Sequence, residues 1–284
     1  MRITIFGASG LLGNALMREW REDEVTGLNS RDADIRSYEQ VDAAIQKHRP
    51  EWVVLAAAYT DVDGCETNRD MAFDVNCHGA ANVAKAAART GAHLVFLSTD
   101  YVFNGESQRP YEVDEPLSPQ SVYGKSKACA EIEIRKILPE SWILRTSWVF
   151  GVGGKCFPNT ILNLARTRDD LEVVSDQRGS PTYTVDLARV IVQLCRTDAT
   201  GTVHVTNRGD CTWFDFASAM VASSRPAVRV HPTSSDKFVR PARRPKYSVL
   251  SPSSLAAYGI AMPTWQDALA RYLEERRRSV DGIA

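Results

Sequence analysis

Two short stretches of this chain carry side chains whose types and spacing suit acid–base chemistry. The first, residues 98–103 (STDYVF), follows the apolar run 93–97, which is typical of a buried strand in a parallel sheet. Polar residues at the carboxyl end of such a strand occupy the place where open α/β sheets bind their ligands. In the second stretch, Tyr123 and Lys127 lie four residues apart. On a helix, both side chains would project from one face, one turn apart.

The pair of Tyr123 and Lys127 has a chemical interpretation and an ordinary one. A phenol with a pKa of ~10 is a weak proton donor at neutral pH, and a nearby ammonium favours its ionised form. We therefore expect Lys127 to lower the pKa of Tyr123. The hydroxyl of Thr99 would complete a cradle for a carbonyl oxygen that becomes an alkoxide. The ordinary interpretation is an exposed helix surface, because Tyr-x-x-x-Lys is common by chance, so the rest of the chain has to decide.

A glycine-rich turn near the start of the chain indicates a dinucleotide site. The β-rich run 2–6 leads into a G-x-x-G-x-x-G spacing and then into a helical pattern, which is the context that a dinucleotide fingerprint requires. Glycines let the backbone approach a pyrophosphate, whose charge is met by the helix N-terminus. The cofactor contacts predicted here are Gly7, Ser9, Gly10, Leu11, Leu12 and Gly13.

The end of the second predicted strand, residues 25–28, bears on the choice of cofactor. An NAD-selective site would place an acidic residue here for the ribose hydroxyls. Arg31 stands there instead, which favours a 2′-phosphate and NADP, although a solvated loop arginine is the alternative. Asp34 is assigned to the adenine amino group, and Ile35 to the same part of the cofactor site.

Small residues follow the third predicted strand, residues 52–55, and would let a cofactor lie close to the backbone. The cofactor contacts assigned from this region and from the strand before Ser98 are Ala57, Ala58, Tyr59, Thr60 and Leu97.

Strands and helices alternate along the chain in a way that predicts an α/β fold. We expect a Rossmann-like doubly wound parallel sheet with right-handed crossovers, and a smaller C-terminal α/β substrate-binding domain. The cofactor domain is predicted to span residues 1–150 with roughly 183–206, and the substrate domain residues 151–182 with 207–284. The predicted helices include residues 38–48, 70–90, 126–137, 157–168, 186–196, 212–222 and 265–278.

Charge and hydropathy give no indication of a nucleic-acid or membrane partner. The 284 residues have a net charge of −1, which gives no electrostatic argument for nucleic acid or an acidic membrane. The apolar run 3–6 is too short for a signal sequence, and no run approaches transmembrane length. The six cysteines lack a paired spacing and are interpreted as free core thiols of a reducing compartment. We therefore expect a cytoplasmic protein with no membrane or nucleic-acid partner.

Taken together, these motifs resemble the extended short-chain dehydrogenases/reductases, and within them the dTDP-4-dehydrorhamnose reductase family. The strings STDYVF at 98–103 and DQRGSPT at 176–182 are typical of this branch, and RTSW at 145–148 and RPARRP at 240–245 add to the likeness. The glycine turn and the Tyr-x-x-x-Lys pair belong to the whole superfamily. One departure is Ser251, where the family pattern leads us to expect Asp or Asn.

The resemblance implies reduction of the C4 ketone of dTDP-4-dehydro-6-deoxy-L-mannose to dTDP-L-rhamnose, with NADPH, or alternatively NADH, as the hydride donor. It assigns catalysis to Thr99, Tyr123 and Lys127, with Tyr123 as the proton donor and with both Tyr123 and Lys127 also touching the cofactor. Thr99 and Asp100 would bind the substrate, together with Trp148.

The RPARRP string carries two further candidate substrate-binding residues. Prolines 241 and 245 exclude a continuous helix, so the segment should be an extended, stiff loop. Arg243 and Arg244 would bind the nucleotide diphosphate, since guanidinium groups bind phosphate well. The alternative is an exposed basic loop paired with surface carboxylates.

Other readings remain open at the level of sequence. A 4,6-dehydratase would carry an Asp-Glu pair after the threonine, but Tyr101 follows Asp100 here. A GDP-fucose synthase would need an additional Cys and His pair, which is not evident. A non-catalytic NADP-binding subunit, such as the methionine adenosyltransferase β subunit, has the same fold. No metal ligands are assigned; a divalent ion such as Mg²⁺ at a subunit contact and a homodimer are known in the family, and the sequence decides neither.

The variant Arg31→Ala tests the choice of cofactor. If the guanidinium meets a 2′-phosphate, its loss should weaken NADPH binding about tenfold or more, and NADH binding much less, because one charged hydrogen bond is removed. Dissociation constants for both cofactors, measured by fluorescence titration, check this. Equal losses for the two cofactors would show that Arg31 is only a loop residue.

Overall fold

Short β-rich runs and longer amphipathic runs form the strands and helices of the computed structural model, which describes residues 1–281. The strands are β1 Arg2–Phe6, β2 Glu24–Leu28, β3 Trp52–Leu55, β4 His93–Thr99, β5 Trp142–Thr146, β6 Val149–Phe150, β7 Asp170–Val174, β8 Arg178–Gly179, β9 Thr182–Tyr183, β10 Gly201–His204, β11 Cys211–Thr212 and β12 Arg229–Thr233. The helices are α1 Leu11–Glu19, α2 Tyr38–His48, α3 Val62–Thr67, α4 Arg69–Phe73, α5 Gly79–Thr90, α6 Val122–Ile137, α7 Phe157–Leu164, α8 Thr184–Leu194, α9 Trp213–Ser224, α10 Ser253–Ala256 and α11 Trp265–Asp281. Single turns of π-helix at Asp74–His78 and of 3₁₀-helix at Asp100–Val102 and Ser235–Lys237 complete the set.

Six strands form one sheet in the order β10-β5-β4-β3-β1-β2. Every neighbouring pair in it is parallel, with Ile3 opposite Trp52 and Val95 opposite Trp142 as examples of the register. The chain leaves β1 toward β2 on one side and returns as β3 on the other. The carboxyl ends of β1 and β3 therefore flank a crevice of the kind that binds ligands in doubly wound sheets. The predicted α/β fold is confirmed.

Helices cover both faces of this sheet because the strands are apolar on both sides. Helices α2, α5 and α6 bury residues such as Val41, Ile45 and Ile134 against one face. Helices α1 and α8 bury Leu16 and Leu187 against the other. Each such fully buried side chain stabilises the fold by about 1.5–3 kcal/mol. The alanine-rich α5 lies between α2 and α6, since small side chains allow close packing.

A third core lies outside the sheet. Its centre is aromatic, with Phe150, Phe216 and Tyr272 almost fully buried and contributed by β6, α9 and α11. The parallel pair β7 and β12 and the helix α7 pack around this centre. The division into two domains, with the boundaries given above, stays a prediction. None of the helices within residues 1–281 is long and apolar enough to cross a membrane.

Several element boundaries differ from those predicted. The helix predicted at 70–90 is interrupted by the π-helical turn at Asp74–His78, and α7 ends at Leu164 instead of residue 168. Helix α3 and strand β12 were not predicted, since α3 is one short polar run and β12 is largely exposed. Helix α6 begins at Val122, earlier than predicted, because the Ser121 hydroxyl accepts a hydrogen bond from Gly124 N and caps it.

The cysteine prediction is wrong for one pair. Cys77 in the π-helical turn and Cys129 in α6 form a disulfide, with Cα atoms 5.6 Å apart. These cysteines are separated by 52 residues and meet only because the two helices pack side by side, which spacing alone does not reveal. Cys65, Cys195 and Cys211 are buried free thiols, as expected.

A buried ion pair joins the helix that carries Tyr123 and Lys127 to the sheet. The guanidinium of Arg145 in β5 donates to both carboxylate oxygens of Glu131 in α6, at 2.7–3.2 Å. The side chains are only 6% and 5% exposed. The hydroxyl of Ser98 in β4 also donates to Glu131, and Arg145 donates to the carbonyl of Val113. The pair therefore links α6, β4, β5 and the loop before α6.

Replacing Arg145 by leucine should destabilise the fold by about 3–5 kcal/mol, because Glu131 is left as a buried, unpaired charge. The double variant Glu131→Leu/Arg145→Met should recover most of the loss. Urea unfolding measures both. The control is Lys136→Leu, which breaks an exposed pair with Glu133 on the same helix and should change stability little. Equal, small losses for Arg145→Leu and Lys136→Leu would contradict this account.

Candidate active site

Lys127 in the second turn of α6 and Tyr123 in its first turn lie at the carboxyl end of β4. The first turn is held from two sides, by the Ser121 cap and by Glu66 of α3, whose carboxylate accepts from Val122 N at 2.8 Å. The side chains of residues 123 and 127 lie one helical turn apart on the same face of α6, as predicted. The ring of Tyr123 packs edge-on against Tyr101, with centroids 5.7 Å apart.

The pKa of Tyr123 differs from the sequence expectation. Burial raises it well above its ordinary range, and the nearby charge of Asp100 raises it further. The Thr99 hydroxyl acts in the opposite direction, and Lys127 is not among the causes of the shift. The prediction that Lys127 lowers the pKa of this phenol is therefore wrong for the chain by itself. A half-buried phenol beside a carboxylate stays protonated at neutral pH.

Lys127 is a buried cation, 2% exposed, with its ammonium 4.1 Å from the centroid of the Phe96 ring. Burial lowers its pKa to about 7, and the charge of Glu131 opposes the shift in part. Glu131 stabilises the charged form of Lys127 only in part, because its carboxylate is already bonded to Arg145 and Ser98. A hydroxyl or phenolate oxygen placed beside Lys127 would meet a donor that has lost most of its water.

Asp100, at the carboxyl end of β4, is 3% exposed. The hydroxyl of Thr99 donates to its Oδ1 at 3.0 Å, whereas Oδ2 has no hydrogen-bond partner within residues 1–281. Burial raises the pKa of Asp100 to about 6, and the hydroxyls of Ser248 and Thr99 oppose the rise. The Ser248 hydroxyl is close enough to stabilise the carboxylate of Asp100, but it makes no well-aligned hydrogen bond within the described residues. Nothing in its sequence context marked Ser248 as a site residue.

The glycine turn has the geometry that a dinucleotide site needs. Gly7 has a φ of +89°, and a Cβ there would lie 2.5 Å from the backbone nitrogen of Ala57. A Cβ on Gly13 would lie 2.2 Å from the Gly7 carbonyl oxygen. Helix α1 begins at Leu11 after Gly10, with no side-chain cap and no acidic residue in its first turn. Its free N–H groups therefore fit a pyrophosphate.

The residues assigned to the adenosine end lie at the ends of β2 and β3. Arg31 is exposed after β2, while Ile35 is buried. Both carboxylate oxygens of Asp34 accept from Arg36, at 2.6–3.1 Å, so an adenine amino group would have to share this carboxylate. The predicted cofactor contacts after β3 are half-buried at Ala57, Ala58 and Tyr59 and exposed at Thr60. Leu97, the last apolar residue of β4, is buried.

Asn76, for which the sequence indicated only a helix, links the cofactor side to Tyr123. Its carboxamide accepts from Tyr59 N at 2.7 Å and donates to the Tyr59 carbonyl and the Ser126 hydroxyl, each at 3.0 Å. The Ser126 hydroxyl in turn donates to the Tyr123 carbonyl at 2.8 Å. The π-helical turn, which no sequence signal announces, aims Asn76 inward.

A cavity of about 930 Å³ opens beside this site. Its lining includes Tyr101 from the sheet side, Trp213 from α9, and the predicted arginines Arg243 and Arg244. As predicted, the segment 240–245 contains no helix, and it is a loop that bends at residues 241 and 242.

The guanidinium groups of this loop already have carboxylate partners. Arg244 is 19% exposed and donates twice to Asp63 of α3, at 2.8 and 2.9 Å. Arg243 is exposed and pairs with Glu106 at 2.7 Å. Diphosphate binding by Arg243 and Arg244 stays a prediction, as does the alternative of a carboxylate-paired loop.

Trp148 lies behind the cavity wall. Its backbone has a φ of +47°, unusual for a bulky residue. One face of its ring stacks on Trp213, with centroids 3.4 Å apart and planes 6° apart, and the other packs against Gly179. Trp213 was not singled out from the sequence, although it contributes to the cavity lining. Within residues 1–281, no group of three or more His, Cys, Asp or Glu side chains is placed to hold a metal ion.

The buried carboxylate predicts a pH dependence for stability. The pKa of Asp100 is about 6 in the fold and ordinarily near 3.8, so between these values the folded state binds a proton that the unfolded state has lost. Unfolding free energy should therefore fall as pH rises through this window, by about 3 kcal/mol at most.

Asp100→Asn removes this effect. Its stability relative to wild type should grow from about pH 4 to about pH 6 and stay constant above, as urea unfolding at several pH values will show. The opposite trend expected from Lys127 above pH 7 is common to both proteins and cancels. Asp114→Asn, an exposed control, should show no such pH dependence. A flat difference for Asp100→Asn would contradict the raised pKa.

Comparison with known proteins places this geometry in a family. The chain is 40% identical over 282 residues to the spore coat polysaccharide biosynthesis protein SpsK of Bacillus subtilis, covering 99% of each chain. It is 39% identical over 276 residues to a probable dTDP-4,6-dihydroxy-2-methyloxan-3-one 4-ketoreductase of Streptomyces antibioticus, covering 95% of this chain and 93% of the relative.

A solved structure extends the likeness to three dimensions. The dTDP-4-dehydrorhamnose reductase of Bacillus anthracis, determined in complex with NADP, is 39% identical, with a TM-score of 0.95 over 96% of this chain and 99% of that one. The family model for the RmlD substrate binding domain matches residues 1–278. This protein therefore belongs to the RmlD substrate-binding-domain family.

Proposed function

We propose that this protein is an NADPH-dependent reductase that converts dTDP-4-dehydro-6-deoxy-L-mannose to dTDP-L-rhamnose by reducing its C4 ketone. The observation that carries the proposal is the convergence of Thr99, Tyr123 and Lys127 at the carboxyl end of β4, beside the glycine turn and the large cavity. Family membership supports the reaction, since a relative of the same fold and full length is a dTDP-4-dehydrorhamnose reductase.

The residues of the chain handle the ketone oxygen and a proton. NADPH, when held by the glycine turn, would supply the hydride for C4, and negative charge would develop on the ketone oxygen. Tyr123, kept protonated by its raised pKa, would donate its proton to that oxygen, and the Thr99 hydroxyl would turn from Asp100 Oδ1 to donate a hydrogen bond to it. Lys127 then stabilises the resulting phenolate, which the dry pocket otherwise disfavours. Donors fixed in advance at a developing oxyanion typically lower a barrier by a few kcal/mol.

Substrate contacts are proposed for four further residues. Asp100 has a free Oδ2 that would accept a hydrogen bond from a sugar hydroxyl. Trp148 would contact the sugar with the edge of its ring, since both faces are covered. Arg243 is exposed and would exchange Glu106 for the diphosphate, whereas Arg244 would act while still bound to Asp63.

NADPH is the proposed cofactor, with NADH as a weaker substitute. It would be bound by the residues of the glycine turn, by the predicted residues after β2 and β3 and within β4, and by Tyr123 and Lys127. A homodimer, a divalent ion at a subunit contact and a cytoplasmic location are further expectations from the family.

A second candidate is a reductase of a related dTDP-linked keto sugar. The 39% identity to a probable 4-ketoreductase of a different dTDP-sugar favours it, because this identity equals that to the rhamnose enzyme. The non-catalytic NADP-binding subunit is less well supported, since all three groups of the proposed acid–base set are present.

One assay separates these candidates. Purified protein is mixed with NADPH and enzymatically generated dTDP-4-dehydro-6-deoxy-L-mannose, NADPH absorbance is followed, and the C4 configuration of the product is determined by NMR. Turnover to dTDP-L-rhamnose supports the proposal. Turnover only with another dTDP-keto sugar supports the second candidate. Tight NADP binding without turnover of any such sugar would contradict both.

Tyr123→Phe should lower kcat by ~10²–10⁴, because the general acid is lost. NADPH affinity should stay nearly unchanged, since the ring is retained. Single-turnover kinetics and a fluorescence titration measure the two quantities. Tyr101→Phe is a matched control, as Tyr101 packs on the same ring and should affect kcat far less. Wild-type activity in Tyr123→Phe would rule out this tyrosine as the acid.

A further inference from the structure

The string DQRGSPT at 176–182 contributes one side chain to the cavity lining, Gln177, and this side chain has no structural partner within the described residues. The buried Thr182 hydroxyl also lacks a partner among these residues, but it does not line the cavity. Asp176 accepts from the backbone N and hydroxyl of Ser235, at 2.9 and 2.8 Å. Arg178 forms a surface ion pair, and Gly179 makes room for an indole ring. Gln177, between them, makes no side-chain hydrogen bond to any residue from 1 to 281 and faces the cavity.

The surroundings of Gln177 are those of a ligand site. It is half-buried, and the apolar residues that line the same cavity include Ile161, Leu164, Val173 and Val174. A carboxamide offers one acceptor oxygen and two N–H donors. An apolar cavity with a few placed polar groups is the usual construction of a small-molecule site. An amide left without an internal partner there is available to a ligand.

Other polar residues of this wall are engaged or exposed. The Thr160 hydroxyl donates to the Cys156 carbonyl at 3.1 Å, and the Ser235 hydroxyl donates to Asp176. Glu172 is an exposed acid, which disfavours a diphosphate nearby. Gln177 is therefore the polar side chain of this wall best placed to bind a neutral, flat ligand group.

A nucleoside-diphosphate sugar has three chemically distinct parts. The keto sugar must reach the acid–base set, which the cavity approaches at Tyr101, and the diphosphate suits the arginine loop. The remaining part is a pyrimidine with apolar faces and an imide edge, formed by N3–H between two carbonyl groups. A carboxamide matches that edge with two hydrogen bonds: its oxygen accepts from N3–H and its N–H donates to a neighbouring carbonyl.

We propose that Gln177 binds the imide edge of the thymine base, with the apolar wall of Ile161, Leu164, Val173 and Val174 against the ring. This inference rests on the proposed function for the identity of the substrate. It adds a specificity-determining contact, because a base without an adjacent N–H and carbonyl leaves the amide unpaired.

The first test measures dTDP affinity of the full-length protein in the presence of NADP⁺ by isothermal titration calorimetry. Gln177→Leu, which keeps the size but removes both polar groups, should weaken dTDP about ten- to a hundredfold, as expected for two lost hydrogen bonds. Gln193→Leu, an exposed glutamine of α8, is the matched control and should bind as wild type does. Thermal unfolding and NADP⁺ affinity establish that each variant is folded.

The second test uses dTDP methylated at N3, which lacks the proton that Gln177 would accept. Wild type should lose about tenfold in affinity for this analogue, whereas Gln177→Leu should lose little more. Equal losses in both proteins would place another residue at N3. Unchanged dTDP affinity in Gln177→Leu, with or without a raised KM for the keto sugar, would overturn the proposal.

These results are separable from the reaction itself. A wild type that binds dTDP through Gln177 but does not reduce any dTDP-keto sugar would overturn the proposed reaction and leave the base contact standing. If wild type turns over the sugar but Gln177→Leu retains dTDP affinity, the base contact is overturned and the proposed reaction stands. Failure of wild type to bind dTDP would overturn both.

Discussion

The buried pair of Glu131 and Arg145 is the constraint on which the site depends. Helix α6 supplies Tyr123 and Lys127, whereas β4 and the turn after it supply Thr99 and Asp100, so catalysis requires a constant register between helix and sheet. Hydrophobic contacts alone are non-directional, but a bidentate guanidinium–carboxylate contact with an added serine hydroxyl allows little sliding. Burial makes this ion pair costly to form, and removing only one of its two partners is more costly still.

The same pair sets the electrostatics of the pocket. Burial lowers the pKa of Lys127 to about 7, and Glu131, one helical turn away, opposes this only in part because its carboxylate is already bonded to Arg145. Asp100 is also buried and half-satisfied, and Tyr123 beside it holds its proton tightly. Three groups are thus held away from their ordinary titration ranges by dehydration. Perturbation of this kind is common where a ligand supplies the missing partners.

Two carboxylates tie one surface segment across the cavity. Asp63 of α3 holds Arg244, and Asp176 in the loop after β7 holds Ser235, so the segment 234–244 is fixed at both ends. Between these anchors, Phe238 and Val239 are exposed apolar residues on the cavity rim. The arginines of this segment are therefore positioned by internal acids, and an incoming anion would compete with those acids for their donors.

Local patterns in the sequence were enough to predict the parallel α/β fold, the glycine turn, and the placing of Tyr123 and Lys127 on one helix face. Each depends on short-range physics: strand hydrophobicity, the steric freedom of glycine and the helical repeat. The absence of helix at 240–245 followed in the same way from two prolines.

Tertiary structure decided the rest, because the interactions involved join distant segments. The disulfide between Cys77 and Cys129, the inward aim of Asn76 and the engagement of Arg244 by Asp63 all link residues that no spacing relates. The pKa of Tyr123 is the clearest case. The sequence placed a lysine one turn away and predicted a lowered pKa, but burial and the charge of Asp100 raise the pKa of Tyr123. Dehydration is a property of the assembled pocket, so no local pattern of residue types contains it.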